Sequence, residues 1–498
     1  MQDTILAFKE HLAKIDAYSH AMGKLYYDSV TVMPKGGSEV VGKTLGVLSE
    51  EEYKLSTAPE LKAWIEKILE KPDEADEVTR REAEEKRDEL KKLEKIPMDE
   101  YVAYQMDVNA AQAAWHEAKE KDDFELFAPH LKKLVAFNRK VAAYYDPDKP
   151  PYDVLLNEYE KGLTMEQLDL FFKDVRDRVV PLLREITERG RRIDTEFLNQ
   201  DFAIDKQRLF SDYLMELMCM DKTRSAIGET EHPFTINFTK NDVRITTHYH
   251  SDMLMSNLFS VVHEAGHATY ELNIGDELVS SFLGSGASMG VHESQSRFYE
   301  NIVGRSPEFI DLIYGKLTEL FPNELKGVTK EQLYLAANKV EPSLIRTEAD
   351  ELTYPLHIMV RYEIEKRLIA GELEVDELPQ VWNRLYKEYL GIDVPSNKKG
   401  VLQDSHWSGG SFGYFPSYAI GSAYAAQILD CMNQDMDVFA QVKSGDLQPI
   451  IDWLSERIYR YGCLKKPGEL IELCCGAPFD PKYYTEYLEA KFKRVYQL

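Results

Sequence analysis

The sequence contains no long hydrophobic run, and no apolar stretch approaches the roughly 18 residues that a membrane-spanning helix needs. Basic residues are also in the minority, with 60 Lys and Arg against 86 Asp and Glu and a formal net charge of −26. A duplex-binding protein needs a basic surface against the phosphates, and an anionic membrane surface repels an acidic chain. We therefore expect neither nucleic acid nor a membrane as a partner.

Cysteine is scarce, and the five cysteines form neither a CxxC pair nor an even disulfide set. The N-terminal segment lacks the basic stretch and the apolar stretch that mark a secretory signal peptide. Together these two absences predict free thiols in a reducing cytoplasm. The composition, 44% hydrophobic and 29% charged, is typical of a globular protein.

Most of the sequence has helical periodicity, with apolar residues at spacings of three, four or seven. The one strand signal is in residues 234–238 and 243–248, which both alternate and are separated by the turn Lys240-Asn241. This pattern predicts a β-hairpin directly before the helix that holds the clearest motif. We therefore expect a mainly α fold with a small β-sheet beside that helix.

The segment HEAGH at residues 263–267 is an HExxH motif inside residues 253–272, which are helical by pattern. Residues four apart lie on one face of a helix about 6 Å apart, so His263 and His267 can both reach one zinc ion. Glu264 lies beside them, where its carboxylate can take a proton from an attacking water molecule. The alternative is a pair of helix-face histidines bonded to carboxylates.

A hydrolytic zinc site needs a third protein ligand and one open position. Glu293, in the segment HESQ at residues 292–295, begins another helical pattern and is the expected third ligand. A surface carboxylate on a first helical turn is the alternative interpretation of Glu293. His248 and His250 are rival ligands, although a histidine at a hairpin edge is more often solvated.

The segment GASMG at residues 286–290 matches the GxSxG pattern of serine hydrolases. That pattern needs a preceding buried strand and a following helix within a parallel sheet, whereas here a glycine-rich loop precedes it. We expect this loop to bring its backbone close to the metal or the substrate instead.

A second group of candidates lies in segments rich in glycine and aromatic residues near residues 400–418. His406, Tyr414 and Tyr418 can donate hydrogen bonds to a developing oxyanion. The sequence does not rank these three side chains.

With these motifs in this order, the sequence strongly resembles the carboxypeptidase Taq family of metallocarboxypeptidases. The resemblance is densest in the second half of the chain. The matching segments are HPF at 232–234, DVRIT at 242–246, HEAGH at 263–267, HESQ at 292–295, IRTEAD at 345–350 and GVLQDSHW at 400–407. In the first half, Tyr27-Asp28 departs from the Trp-Asp that is usual in the family, outside the metal motifs.

The resemblance implies a helical two-lobed body with a deep groove, similar to neurolysin and angiotensin-converting enzyme. We expect one peptidase domain over residues 1–498. In it, residues 1–150 would form a groove wall or lid and residues 200–498 would form the catalytic part. Members are usually cytoplasmic homodimers, and by the same resemblance His263, His267 and Glu293 bind the metal.

The implied activity is the removal of single C-terminal residues from peptides with broad preference, with proline disfavoured, by zinc or sometimes cobalt. Glu264 would be the general base for water attack on the scissile carbonyl. An oligopeptidase or dipeptidyl carboxypeptidase using the same zinc site is the alternative activity. A non-enzymatic helical binding protein with a degenerate site is a further alternative, which the complete ligand set disfavours.

An exopeptidase must also recognise the free C-terminal carboxylate, and a planar guanidinium suits that group. Arg346 is the first candidate, with Asp350 one turn further along a predicted amphipathic helix to hold it. Arg244 on the hairpin is the second candidate. A purely intrahelical Arg346–Asp350 ion pair is the alternative. We also expect the sheet edge beside the metal helix to pair with the substrate backbone.

Overall fold

The computed structural model describes the whole chain, Met1–Leu498, as a mainly helical protein with one small sheet. No helix in it combines the length and the apolar character that crossing a membrane requires. The helices of the N-terminal third are α1 (Gln2–Thr31), α2 (Ser38–Ser56), α3 (Pro59–Glu70), α4 (Glu77–Lys95), α5 (Met98–Lys121) and α6 (Phe124–Tyr145).

Helices α1, α3 and α4 bury apolar side chains against one another in a core that is separate from the main one. Their small separate core consists of Phe8, Leu12, Ile15, Leu61, Ile65, Ile68 and Ala83. Helices α5 and α6 instead contribute to the main core of the protein. The hydrophobic contacts thus divide α1–α4 from the rest of the chain near Pro97. The predicted boundary of the N-terminal part at residue 150 stays a prediction.

The middle of the chain leads into the sheet. It consists of α7 (Pro151–Leu156), α8 (Met165–Arg189), α9 (Ile204–Leu217), β1 (Ser225–Glu229), β2 (Thr235–Thr239) and β3 (Asp242–Thr247). The strand order is β1-β3-β2, with β2 antiparallel and β1 parallel to β3. The predicted hairpin is therefore confirmed, and β2 is an edge strand. The short strand β1 contains Gly228 and no alternating pattern, so the sequence did not indicate it.

The two faces of β2 contact different helices because side chains alternate along a strand. Thr235 and Asn237 point to the helix that follows the sheet, where they bond to Glu264 and Glu271. On the opposite face α1 crosses the strand, with the Tyr26 and Phe234 ring centroids 5.8 Å apart. Helices thus cover both faces of the edge strand.

The C-terminal half supplies the remaining helices. They are α10 (Leu254–Leu272), α11 (Met289–Arg297), α12 (Pro307–Leu320), α13 (Lys330–Ala337), α14 (Tyr354–Ala370), α15 (Leu378–Leu390), α16 (Pro416–Asp435), α17 (Val438–Ser444), α18 (Gln448–Arg457), α19 (Pro467–Cys475) and α20 (Lys482–Tyr496). Helix α10 is buried over most of its surface, as its largely apolar sequence requires. The mainly α fold with a small sheet beside this helix is confirmed.

The prediction that an amphipathic helix begins at residues 345–350 is wrong. Arg346–Glu348 form a single 3₁₀ turn, and α14 begins only at Tyr354. The Asp350 carboxylate accepts hydrogen bonds from the backbone N–H groups of Glu341, Leu352 and Thr353. Such local side-chain bonds compete with the helical backbone pattern, which explains the irregular segment.

Candidate metal centre

Two buried helices bring the three predicted metal ligands together. Helix α10 supplies His263 and His267 from the same face, and α11 supplies Glu293. The Glu293 Oε2 atom lies 3.8 Å from His263 Nε2 and 3.6 Å from His267 Nε2. One possible ligand atom from each residue lies within 4.8 Å of the others, and no other group of three or more such residues is that close.

This geometry fits a tetrahedral zinc ion. Zinc–ligand bonds of 2.0–2.2 Å place neighbouring ligand atoms about 3.3–3.6 Å apart in a tetrahedron, close to the carboxylate–imidazole distances here. Burial lowers the pKa of His267 to about 3, which keeps that imidazole in the neutral form that binds metals. Burial opposes ionisation of Glu293, but the charges of Arg297 and His263 outweigh it and hold its pKa well below the usual range.

Neighbours on the same helix orient the Glu293 carboxylate. The Nε atom of Arg297, four residues further on, donates to Oε1 at 2.7 Å, and the Ser296 hydroxyl donates to Oε2 at 3.1 Å. Helix α16 packs unusually close at this point, since a Cβ atom on Gly421 would lie 2.6 Å from the Glu293 Cβ atom. The backbone of α16 therefore leaves no room for a side chain beside the Cβ and Cγ atoms of Glu293.

A π-helical segment continues α11 over Phe298–Gly304 and supplies the partner of His263. The Glu300 Oε2 atom lies 2.9 Å from His263 Nδ1, which leaves Nε2 facing Glu293. Arg297 and Arg305 donate to the same Glu300 carboxylate at 3.1 and 2.9 Å. Widened helical turns of this kind are frequent at functional sites.

Glu264, the predicted base, is buried next to the two histidines. The Thr235 hydroxyl of β2 donates to Glu264 Oε2 at 2.6 Å, so the edge strand fixes its position. Burial raises the pKa of Glu264 above its usual value. A carboxyl with a raised pKa is better suited to accept and return a proton near neutral pH.

The prediction that Asp350 is the partner of Arg346 is wrong. The Nε and Nη2 atoms of Arg346 donate to Asp404 at 3.0 Å, and Asp350 is occupied by backbone N–H groups. Arg361 is fully buried and donates from Nε to the other Asp404 oxygen at 2.8 Å. Two guanidinium groups thus share one carboxylate, which leaves one net positive charge at this position.

A short chain of contacts connects this positive cluster to the metal ligands. Arg297 binds Glu293 and lies over the Tyr354 ring, 4.5 Å from its centroid. The Tyr354 hydroxyl accepts a hydrogen bond of 3.3 Å from Arg346 Nη1. Arg346, the candidate for binding the substrate carboxylate, is therefore connected to the candidate metal ligand Glu293 through Tyr354 and Arg297.

His406, Tyr414 and Tyr418 form one aromatic group beside Arg346. The Tyr418 hydroxyl lies 3.4 Å from His406 Nε2, and the His406 and Tyr414 ring centroids are 5.2 Å apart. Burial lowers the pKa of His406 to about 4, so it is neutral at pH 7. Burial raises the pKa of both tyrosines, and their hydroxyls stay protonated and able to donate.

Arg244 lies at a different place, on the sheet face that contacts α1. Its guanidinium donates to both oxygens of Asp242 at 2.8 and 2.9 Å and lies 5.0 Å from the Tyr27 ring centroid. These contacts tie the sheet to the N-terminal helices.

The other rival residues have structural partners. Ser288 of the GxSxG segment is the N-cap of α11 and accepts a hydrogen bond from Val291 N at 3.0 Å. No strand directly precedes it, so the nucleophile-elbow geometry is absent. His248 and His250 stack on each other with centroids 4.0 Å apart and are not in the three-residue cluster.

The sequence reasoning missed Arg297, Glu300, Tyr354, Arg361 and Asp404. A helical-face argument could have found the first, because Arg297 lies four residues after Glu293 on one helix. Glu300 was hidden by the π-helical segment, which changes the spacing of side chains. Asp404 and Arg361 meet through tertiary contacts, for which the sequence has no local signal.

The metal centre combines an HExxH helix with a carboxylate from the next helix, inside a helical body. These features define the class of metallopeptidases. The family model of carboxypeptidase Taq (M32) metallopeptidases matches residues 7–492. The chain belongs to this family and is a metallocarboxypeptidase by class.

Known carboxypeptidases are similar to this chain over nearly its full length. Carboxypeptidase 1 of Bacillus subtilis is 40% identical over 492 residues, covering 99% of this chain and 98% of the relative. Thermostable carboxypeptidase 1 of Thermus thermophilus is 35% identical over 96% of both chains. The crystal structure of the M32 carboxypeptidase from Deinococcus radiodurans R1 is 33% identical, covers 100% of both chains and gives a TM-score of 0.96.

Proposed function

We propose that this enzyme removes single C-terminal residues from peptides, with His263, His267 and Glu293 holding a zinc ion and Glu264 as the general base. The observation that supports this most directly is the ligand cluster, in which the three side chains share one centre with the base beside it. When bound there, zinc supplies Lewis-acid activation of a carbonyl and of water. Cobalt is a possible substitute.

The side chains of the protein then have separate tasks. Glu264 takes the proton from the attacking water and later transfers it to the leaving amine, while Thr235 holds its carboxylate in place. His406, Tyr414 or Tyr418 donates to the developing oxyanion. Arg346, Arg361 and Asp404 together carry one net positive charge, which attracts the C-terminal carboxylate of the peptide.

Of the two arginines in that cluster, Arg346 is the one proposed to contact the substrate. Arg346 keeps 7% of its surface exposed, whereas Arg361 is completely buried and serves to hold Asp404. Arg244 is the weaker candidate because it lies on the sheet face that contacts α1, opposite the face that carries Thr235 and its partner Glu264. Broad side-chain preference, exclusion of C-terminal proline, a cytoplasmic location and a homodimer are further parts of the proposal.

One experiment tests the activity. Metal is quantified in the purified protein, and metal-free, zinc-reloaded and cobalt-reloaded samples are incubated with free and C-terminally amidated peptides. Stepwise loss of single residues, abolished by chelation and restored by metal, supports the proposal. Dipeptide release or internal cuts would assign the chain to the dipeptidyl carboxypeptidases or oligopeptidases, and absence of both metal and cleavage would indicate a binding protein.

A further inference from the structure

A continuous chain of hydrogen bonds leads from the ligand His267 into the protein. Its Nδ1 atom lies 2.7 Å from Nδ1 of His292, and Nε2 of His292 lies 2.7 Å from Glu271 Oε1. The other oxygen of Glu271 accepts a bond of 2.7 Å from the Asn237 side chain in β2. Four side chains from α10, α11 and the sheet are thus linked in series.

If His267 binds a metal, the protons in this hydrogen-bonded series have a single consistent arrangement. The Nε2 atom of His267 faces Glu293 at 3.6 Å and must be unprotonated to coordinate, so a neutral His267 has its proton on Nδ1. Nδ1–H then donates to His292 Nδ1, which leaves the proton of neutral His292 on Nε2. That proton points to the Glu271 carboxylate, so every donor in the series meets an acceptor.

The glycine-rich loop before α11 locks this arrangement. The Gly286 N–H donates to Glu271 Oε1 at 2.9 Å, and a Cβ atom on Gly286 would lie 2.5 Å from the His292 ring. Ala287 N donates to the Tyr270 hydroxyl at 3.1 Å, and the Tyr270 ring centroid lies 5.2 Å from that of His292. The GxSxG segment thus holds the second histidine instead of supplying a nucleophile.

Strand β2 is connected to both functional parts of α10. Thr235 and Asn237 lie two residues apart on one face of the strand and bond to Glu264 and Glu271, which are seven residues, or two turns, apart on the helix. The edge strand therefore fixes the base directly and the ligand His267 through the series.

We propose that His292 and Glu271 are positioning residues that fix the tautomer and ring orientation of His267, anchored to β2 by Asn237. The inference rests on the proposed zinc site. Partners of metal-bound histidines typically change metal affinity by about 10–100-fold when they are removed. Here the partner is a second histidine, held in turn by a carboxylate.

The test measures zinc affinity by chelator competition in the full-length protein. His292→Leu removes the acceptor for His267, and we expect zinc binding about 10–100-fold weaker, with an altered visible absorption spectrum of the cobalt-loaded protein. His292→Asn returns an amide oxygen near the Nδ1 position and should recover part of the affinity. Glu271→Gln, which keeps the shape of the side chain, should weaken binding in the same direction.

His248→Leu is the matched control, because His248 stacks on His250 outside the series and should leave affinity and spectrum unchanged. Wild-type zinc affinity and an unchanged cobalt spectrum in both His292→Leu and Glu271→Gln would overturn the proposal. If His292→Leu does not fold, Glu271→Gln alone decides. Absence of zinc binding by the wild-type protein would instead overturn the proposed function and this inference with it.

Discussion

Glu264 is the residue on which the proposed chemistry depends most directly. Replacing Glu264 by Gln keeps the shape of the side chain and its contact with Thr235 but removes the proton acceptor. Because general-base catalysis typically contributes about 10²–10⁴-fold, we expect Glu264→Gln to lose about that factor in kcat. Zinc content measured on the same sample should stay stoichiometric, since Glu264 is not a proposed ligand. A variant with near wild-type kcat would show that another group is the base.

Arg346 is the residue on which exopeptidase selectivity should depend. A hydrogen-bonded charge pair is worth about 1.5–3 kcal/mol, so Arg346→Ala should lower kcat/KM for free-acid peptides by about 10–100-fold. Amidated peptides should be affected much less, because they lack the carboxylate.

Arg244→Ala is the matched control for the Arg346 variant, since Arg244 lies on the face of the sheet that contacts α1. We expect the ratio of free-acid to amidated cleavage to stay at its wild-type value in this control. If amidation blocks cleavage as strongly in Arg346→Ala as in the wild type, Arg346 does not bind the carboxylate.

At the level of elements, α11 depends on a carboxylate from a distant part of the chain. Glu160 follows α7, is almost fully buried, and accepts a hydrogen bond of 2.9 Å from Gly290 N in the first turn of α11. The Tyr424 hydroxyl of α16 donates to its other oxygen at 3.3 Å. Burial raises the pKa of Glu160 from 4.5 to about 7.

This shift predicts how stability depends on pH. The folded state binds the Glu160 proton more tightly than the unfolded state, so the stabilising contribution is complete below pH 4.5 and is lost as the pH rises through about 7. Glu160→Gln cannot titrate, and from pH 5 to 8 the unfolding free energy of the wild type should fall relative to this variant by up to about 3 kcal/mol.

Chemical denaturation of both proteins across this pH range measures the difference. Glu166→Gln, an exposed glutamate close in sequence, is the control and should parallel the wild type. A constant difference between wild type and Glu160→Gln at all pH values would contradict the raised pKa.

The elements that the sequence predicted correctly are those with a local signal. The α10 helix, the hairpin and the HExxH motif all depend on spacings within about 20 residues, where periodicity and turn chemistry act. Glu293 was also assigned to a helix beginning near it. The Arg346–Asp350 pairing failed because backbone N–H groups compete for the Asp350 carboxylate, which a helical pattern does not reveal.

The long-range pairings could not be predicted from the sequence, for a different reason. Asp404 meets Arg346 and Arg361 from positions 58 and 43 residues away, and Glu160 meets Gly290 across 130 residues. Nothing in the local pattern selects one charged partner among 86 acidic and 60 basic residues. Such contacts follow from the packing of the whole fold.

At the scale of the whole molecule, helices α1–α4 are attached to the body through ion pairs and through the packing of α1 on the sheet. Glu77 of α4 pairs with Lys465 at 2.8 Å and Lys92 pairs with Glu158 at 2.6 Å. A small separate core and partly exposed ion pairs predict a segment that opens more easily than the main core.

Salt should reveal this difference, because it screens exposed ion pairs. We expect amide hydrogen exchange in α1, α3 and α4 to be faster than in α10. It should accelerate further between 0.05 and 1 M salt, by up to about 5-fold for each ion pair worth up to about 1 kcal/mol. Exchange in α10 serves as the internal control and should not respond. Equal, salt-independent protection in both regions would show that α1–α4 and the body open as one unit.

The covered faces of β2 have a consequence for what can pair with its edge. An unpaired strand edge attracts any extended chain, including another copy of the same protein, and is a common starting point of aggregation. Here α10 covers one face and α1 the other, so only the narrow edge itself is open. An extended peptide needs only this edge to pair, whereas the sheet of a folded neighbour would have to approach past the helices on both faces. We therefore expect this edge to accept extended peptides and to disfavour edge-to-edge pairing with the sheet of a second copy of the enzyme.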